Sequence, residues 1–456
     1  MAGVLVVGAC GSAPWNDGGD PEVEVVERVD GPAGSLVAVG DVLLAGTATT
    51  SEEGVEGASA ALQRSSDQGR TWEPVGLPGA PEQLDAGLTH LPGPDLAVVT
   101  GREVVESLDM QVPGGGSYLW TSADGREWHG GLLAAGPPPF VGVVVKAAGD
   151  VLVAGVPVGG DLVNAPSRYV LHRSDDGGAT WSPAVVQTDL TIAAGGRMEL
   201  LDVWEADGRL VADLGLGHLA PDNATVEPGG AGGPPPTAIA SGGTVSPPPS
   251  PPTEGVQAVL ASDDGGATWW IAPCPEAATD ADRGSCDRPE AYGDLQIRHA
   301  EVSLDGGRTW AGPTIAGEPP ADGFAFQTVV ELPSGGWLAT SSEGEDEETE
   351  GRLLRSDDGR AWEDLLPDIA CEATTRRTDF TEPVPFGDGW LATYQCTDFG
   401  DDPVSEAYTL DTDGTDPTPV PDTRRHTDYQ DIARAGDTAV IIADTDGTTD
   451  LVLVTP

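Results

Sequence analysis

One eight-residue pattern recurs along this chain, and its spacing limits what the chain can fold into. Complete copies stand at Ser65-Ser-Asp67-Gln-Gly69-Arg-Thr71-Trp72, Ser174-Asp-Asp176-Gly-Gly178-Ala-Thr180-Trp181, Ser262-Asp-Asp264-Gly-Gly266-Ala-Thr268-Trp269 and Ser303-Leu-Asp305-Gly-Gly307-Arg-Thr309-Trp310. Two copies are one residue shorter, Ser122-Ala-Asp124-Gly-Arg-Glu-Trp128 and Ser356-Asp-Asp358-Gly-Arg-Ala-Trp362. A fragment, Asp411-Thr-Asp413-Gly414, lacks the serine and the tryptophan. Successive tryptophans from Trp72 to Trp362 are 56, 53, 88, 41 and 52 residues apart. A period of this size marks repeated supersecondary units, each too small to bury its apolar face alone. Repeated aspartates on such a period suit a scaffold; they cannot all be catalytic.

The pattern has the chemistry of a turn. Asp and Ser bond main-chain groups across tight turns, glycine supplies a positive φ, and tryptophan is a large apolar anchor. Between the copies runs a second repeat of apolar segments joined by Gly-Asp or Asp-Gly turns, which is a hairpin signal. It occurs around Asp41, Asp150, Gly208, Gly336, Asp388 and Asp437, with Leu88–Val99 as a further member. No stretch carries a long helical period, so the chain reads as all-β. Each unit becomes a hairpin, a strand, the turn and a last strand.

These copies resemble the Asp-box, or BNR repeat, of sialidase-like β-propellers, and the resemblance spans nearly the whole chain. It implies a single β-propeller of four-stranded blades over 22–456, with the box joining the third and fourth strands away from the active face. Counting hairpins gives seven blades, with six or eight open, because only Asp294–Glu301 precedes the box at Ser303. The segment Val23–Val29 is expected to supply the missing outer strand and close the ring, hiding sheet edges.

Composition bounds the setting. The 75 acidic residues outnumber 22 basic ones, for a formal charge of −53. That field repels nucleic acid and anionic membrane surfaces; a saline habitat is one source of it and a solvated acidic surface the simpler one. Val4-Leu-Val-Val7-Gly-Ala9-Cys10 resembles a bacterial lipobox, with Cys10 the lipidated residue, 1–10 the signal segment and 11–21 a tether. Its basic leader is missing, so the start is expected further upstream. The apolar run is too short to cross a bilayer. This implies an extracytoplasmic, lipid-anchored protein, with the membrane reached through the lipid only, or a secreted one. Cys274, Cys286, Cys371 and Cys396 form an even set, which fits an oxidising exterior. Proximity favours Cys274 with Cys286 and Cys371 with Cys396, although four cysteines allow three connectivities. Residues 228–252 contain nine prolines, which predicts a disordered insertion over about 218–255.

Catalytic marks are sparse. In the family, sialidases add an Arg-Ile-Pro element, three arginines that fork onto the substrate carboxylate, an aspartate acid and a Tyr–Glu nucleophile pair. No Arg-Ile-Pro occurs here; Arg28 and Arg102 fall where a first arginine is expected but lack its surroundings. Tyr292, Tyr394, Tyr408 and Tyr429 are the candidate nucleophiles, and nothing in the sequence selects one, so the catalytic set stays unknown. Other glycosidases need two carboxylates roughly 5 to 10 Å apart, and the sequence selects no pair. There is no G-x-S-x-G, Walker loop, C-x-x-C, His-x-His or H-E-x-x-H, so neither metal nor cofactor is expected. His90, His129, His172, His218, His299 and His426 are scattered. Asp444–Asp450 has part of a calcium-loop spacing but Ile442 at its first ligand position, and reads as a hairpin. Asn223-Ala-Thr225 is a sequon that a bacterial lipoprotein leaves unused, and Glu343–Glu350 reads as a solvated loop.

Three readings follow. The first is a non-catalytic, membrane-anchored monomer that binds a glycan or an envelope protein at loops such as 76–86, 130–140, 271–292, 314–324 and 366–380. The second is a divergent sialidase-like exo-glycoside hydrolase. The third is an assembly factor for a membrane complex, which rests on fold alone.

Overall fold

The computed structural model describes residues 21–27, 33–49, 59–82, 84–91, 94–103, 115–135, 143–158, 168–186, 200–206, 208–213, 258–273, 290–298, 300–305, 308–321, 323–344, 350–366, 377–397, 404–423, 428–445 and 448–456. Among them there are strands and no helix. The strands form eight sheets in chain order.

The first sheet holds Ala33–Val39, Val42–Thr49, Ser59–Ser65 and Glu73–Pro74; the second holds Leu84–Leu91, Leu96–Glu103, Gly116–Ser122 and His129–Ala135. The third holds Val144–Ala148, Val151–Val158, Arg168–Ser174 and Ser182–Pro183. In the fourth, Asp202–Ala206, Arg209–Asp213, Ala258–Ser262 and Thr268–Pro273 are joined by Val185–Val186. The fifth has three strands, Glu290–Tyr292, Leu295–Arg298 and Glu301–Ser303. In the sixth, Ala325–Glu331, Trp337–Glu343, Glu350–Ser356 and Ala361–Asp364 are joined by Thr314–Ile315. The seventh pairs both Arg377–Phe380 and Val384–Phe386 with Gly389–Thr397, then adds Val404–Leu410 and Thr418–Pro419. The eighth holds Asp428–Ala435, Thr438–Thr445 and Thr448–Thr455, with Glu22–Glu27 on its outside.

This is the up-and-down, sheet-after-sheet arrangement of a β-propeller. Seven sheets have four or five strands, and the small fifth sheet is the unit whose standing the hairpin count left open. Glu22–Glu27 is antiparallel to Thr448–Thr455, Val23 opposite Val454, so the two ends of the chain share one sheet.

Apolar clusters join neighbouring sheets. Leu36 and Leu43 pack with Val440, Ile442, Leu451 and Leu453, which seats the eighth sheet on the first. Corresponding clusters join the first to the second, second to third, third to fourth, fifth to sixth, sixth to seventh and seventh to eighth. Among the described residues no such cluster spans the fourth and fifth sheets; Trp204, Val211, Val259 and Ala261 cluster on the fourth alone.

The repeated turns at Asp67, Asp124, Asp176, Asp264 and Asp358 lie between the third strand and the outer one. In the first, the Ser65 hydroxyl donates to Asp67 Oδ1 (2.8 Å) and accepts from the Gly69 amide (2.8 Å). Asp67 accepts from the Thr71 amide (2.8 Å) and hydroxyl (2.6 Å), and Trp72 Nε1 donates to the Gly69 carbonyl (2.8 Å). The same serine and aspartate contacts recur at Ser174–Asp176 and Ser303–Asp305. At Ser262–Asp264 the serine, the aspartate and Trp269 Nε1 hold their places. The shorter boxes let Asp124 and Asp358 each accept two successive amides, those of Arg126 and Glu127 and of Arg360 and Ala361. The fragment at 411–414 works differently: Leu410 pairs with Trp390 as Ser356 pairs with Trp337, and Asp411, the residue after it, clamps the Thr415 amide (2.7 Å) and hydroxyl (2.8 Å).

The box also reaches the preceding sheet. Trp128 is buried between the first and second sheets, Trp269 between the third and fourth, and Trp362 between the fifth and sixth. Gly178 is at φ 86°, and a Cβ there would sit 2.4 Å from Thr121 Oγ1 in the second sheet. Gly149, in the third sheet's inner hairpin, is at φ 58° with open space around it. We expect Gly149→Ala to cost about 1 kcal/mol through backbone strain alone. Gly178→Ala should cost about 2–4 kcal/mol, because overpacking adds to that strain. Denaturant unfolding of both variants checks this; equal losses would mean that the box does not bear on its neighbour.

Candidate functional site in the central channel

The first strands of several sheets are irregular. Register shifts interrupt Ala33–Val39, Ala325–Glu331 and Asp428–Ala435 against their partners. In the seventh sheet the inner strand breaks between Phe380 and Val384, where Thr381-Glu382-Pro383 intervenes. Pro383 has no N–H for the ladder. Bulges re-aim side chains and gather at barrel rims. Here Glu382 stands in the break of the seventh sheet and Asp431 beside the register shift of the eighth.

Glu382 is largely buried, and burial pushes its carboxyl up to about 8, with repulsion from Asp431 adding. Burial likewise raises Asp431 to about 6, opposed by hydrogen bonds from two amides. Those donors are Leu36 N to Oδ2 (2.9 Å), from the first sheet, and Ile432 N to Oδ1 (2.9 Å). Tyr292, on the fifth sheet's inner strand, donates its hydroxyl to Glu290. Burial first, then Glu290 and Glu382, raise its phenol well above its ordinary value. Tyr292 and Glu382 come from the fifth and seventh sheets, and Glu382 is among the charges that act on the Tyr292 phenol. Glu290, Tyr292, Glu382 and Asp431 thus form one acidic cluster linked to the first sheet through Leu36.

The arrangement favours the neutral form of Glu382 more strongly than that of Asp431, whose two amide donors oppose the effect of burial. A neutral carboxylic acid beside a carboxylate is a proton donor beside an acceptor. No described arginine enters the charge environment of Tyr292, Glu382 or Asp431. Arg64, Arg70, Arg126, Arg173, Arg209, Arg298, Arg352, Arg355 and Arg434 each hold a carboxylate within their own or a neighbouring sheet.

The candidate tyrosines are not brought together. Tyr408 donates to Glu406 (2.6 Å), two residues away on the same strand, and Tyr429 donates to the Thr423 carbonyl. Tyr394 is buried beside Phe380, their ring centroids 5.3 Å apart. Arg102 lies in the second sheet opposite Asp85 and Ser117. Arg28, Cys10, Cys274, Cys286 and Cys371 fall outside the described residues, as do 218–255, Asn223, His218, His299 and His426. Cys396 is half-buried in the strand Gly389–Thr397. His172 is buried, which lowers its pKa, and His90 Nε2 meets Asp95 Oδ1 at 3.0 Å. Among the described residues no cluster of His, Cys, Asp and Glu has the make-up of a metal site. The box aspartates are held ionised: the Thr309 hydroxyl and amide keep Asp305 down at about 2, and Thr180 lowers Asp176 in the same way. Of the expected binding loops, 130–135 is not a loop but most of the outer strand His129–Ala135.

No family profile matches the chain, and no curated protein matches it. Solved structures do. YCF48 bound to D1 peptide aligns over 98% of both chains at 12% identity and a TM-score of 0.37. Trypanosoma rangeli sialidase in complex with sialic acid aligns over 98% of this chain but 60% of its own, at 12% identity and a TM-score of 0.33. A prolyl endopeptidase aligns over 94% of this chain and 55% of its own, at 8% identity and a TM-score of 0.41. The chain therefore spans about three fifths of the sialidase's length, and we carry no activity over from any of these.

The cluster gives a pH signature. Glu382 binds its proton more tightly in the folded chain than at its ordinary 4.5, so stability declines as pH rises through that value to about 8, then levels. Asp431 contributes a decline between 3.8 and about 6. Glu382→Gln cannot ionise. Between pH about 6 and about 8, the wild-type Tm should fall relative to that of the variant in calorimetry at fixed salt. Parallel profiles would show Glu382 to be solvated.

Proposed function

We propose that the chain is an extracytoplasmic, lipid-anchored propeller that binds a glycan or an envelope protein and does not hydrolyse sialosides. One observation carries this reading: nine of the described arginines hold carboxylates of their own or a neighbouring sheet, and no described arginine acts on Tyr292. A sialidase-type site needs cations converging on the substrate carboxylate. In this channel an anionic sugar would meet Asp431 and Glu290 instead, with no counter-charge from the described residues. A neutral polyhydroxylated ligand, or a peptide bearing ammonium or guanidinium groups, suits these groups better, because carboxylates accept hydrogen bonds from hydroxyls and cations alike.

A second reading has its own support. Glu382, which favours its neutral form more strongly than Asp431 does, offers the kind of acid–base division that glycoside hydrolysis uses, so hydrolysis of an uncharged glycoside is the alternative. A role in assembling a membrane complex has no separate observation in its favour.

Purified protein should leave a fluorogenic sialoside intact at pH 5 to 7, at low and high salt. Turnover that disappears in Tyr292→Phe would reverse the order of the readings. Release from a neutral aryl glycoside that vanishes in both Glu382→Gln and Asp431→Asn would establish the second. The anchor is tested separately. Expressed in a bacterium behind a complete leader, the protein should sediment with membranes and Cys10→Ser should not; equal partitioning would remove the lipid.

A further inference from the structure

The outermost strand of each sheet presents unpaired main-chain N–H and C=O groups to any chain that can pair with them, and proteins blunt such edges. Here seven of the eight sheets are guarded. In the first, third and seventh the outer strand is two residues ending in proline: Glu73–Pro74, Ser182–Pro183 and Thr418–Pro419. In the fourth and sixth a parallel strand covers it, Val185–Val186 on Thr268–Trp269 and Thr314–Ile315 on Ala361–Trp362. In the fifth, Val302 bridges to Ala311. In the eighth the outer strand is Glu-Val-Glu-Val-Val-Glu, with carboxylates at Glu22, Glu24 and Glu27.

The second sheet lacks a short, proline-ended, covered or charged outer strand; its one irregularity is a register shift opposite Ser117 and Tyr118, which leaves His129–Leu132 in regular antiparallel pairing. Its outer strand, His129-Gly-Gly-Leu-Leu-Ala-Ala135, is seven residues long with no proline, carboxylate, lysine or arginine. Among the described residues no strand pairs with its outer side. Leu132 stands 56% exposed in the middle of it, one of the few large apolar side chains on the surface. Alternate amides and carbonyls of such a strand point away from its partner.

We propose that His129–Ala135 is a docking edge, and that its occupant is an extended basic segment of another protein added as a fifth strand. The fold itself shows that its outer edges take a fifth strand, twice. Charge chooses the occupant: at −53 the field of this chain draws a cationic segment and repels a second copy. Strand addition draws affinity from main-chain hydrogen bonds and specificity from alternate side chains, and Leu132 supplies an apolar contact. The edge lies outside the channel, so this inference stands independently of what the channel binds.

The test uses a fluorescein-labelled peptide Lys-Val-Thr-Val-Lys-Val-Thr-Val-Lys and the same peptide N-methylated at alternate amides, titrated against the full chain by anisotropy. Leu132→Lys places a gatekeeper charge on the edge. Val185→Lys makes the same charge change at a 61% exposed position on a covered sheet. We expect the plain peptide to bind, and N-methylation and Leu132→Lys each to weaken binding about tenfold or more, or 1.4 kcal/mol. Val185→Lys should leave it within about twofold. Four outcomes overturn the proposal: no binding, equal binding of both peptides, equal weakening by the two lysine variants, or a dimer that Leu132→Lys dissociates.

Discussion

The docking of the repeated turn onto the sheet before it is the interaction on which most of the architecture rests. The turn is closed by its own serine and aspartate, which fixes where the glycine and tryptophan stand. The glycine then meets the neighbour at a distance that no side chain tolerates: Gly125 against Val42, Gly178 against Thr121, Gly359 against Leu295. The first box meets the last sheet in the same manner. Gly69 faces Leu453 and Val440, and Gln68 Oε1 accepts from the Thr438 hydroxyl at 3.1 Å. A local turn thereby becomes a long-range contact between residues 370 positions apart. Interiors packed to this density transmit a misfit of one methyl group, so sheet spacing is set box by box.

The junction between the fourth and fifth sheets departs from this plan for a visible reason. Trp310, the fifth box's tryptophan, is covered by the Arg298 guanidinium 4.4 Å from its ring centroid. A cation–π contact of about 0.5–2 kcal/mol stands where the other boxes place apolar burial. The three strands of this sheet offer a smaller face to pack. Its inner strand nonetheless brings Tyr292 and Glu290 to the channel, so a weakly braced unit contributes half of the acidic cluster.

Most of the scaffold was legible because its signals are local. The boxes, the Gly-Asp hairpins and the lone segment near Val23 each carry their instruction within ten residues or so, and each forms the expected strand or turn. Other features were not legible, for physical reasons. Val185–Val186 and Thr314–Ile315 become strands only because an outer edge lies beside them. Asp411, one residue past the serine position, takes the clamp that the sequence pattern assigns to Asp413. The channel cluster joins residues from 290 to 431 through backbone irregularity, which no periodic pattern reports. One signal was available: Thr381-Glu382-Pro383 interrupts an inner strand with a residue that cannot join the ladder. Among 75 acidic residues, however, only three-dimensional burial distinguishes Glu382 from its neighbours.

The same acidity gives the channel its chemistry. A chain this negative stabilises no further buried carboxylate unless a cation or a hydrogen-bond donor compensates it. Nine of the described arginines are held elsewhere by carboxylates, and main-chain amides are the compensation for Asp431. Glu382 has no such pair of donors and favours its neutral form more strongly instead. The difference between the two carboxyls therefore follows from which residue lies next to the free amide of Leu36, at the junction of the first and last sheets. The junction of the first and last sheets and the placement of the proton share one hydrogen bond, and a ligand that displaced Leu36 from Asp431 would alter both together.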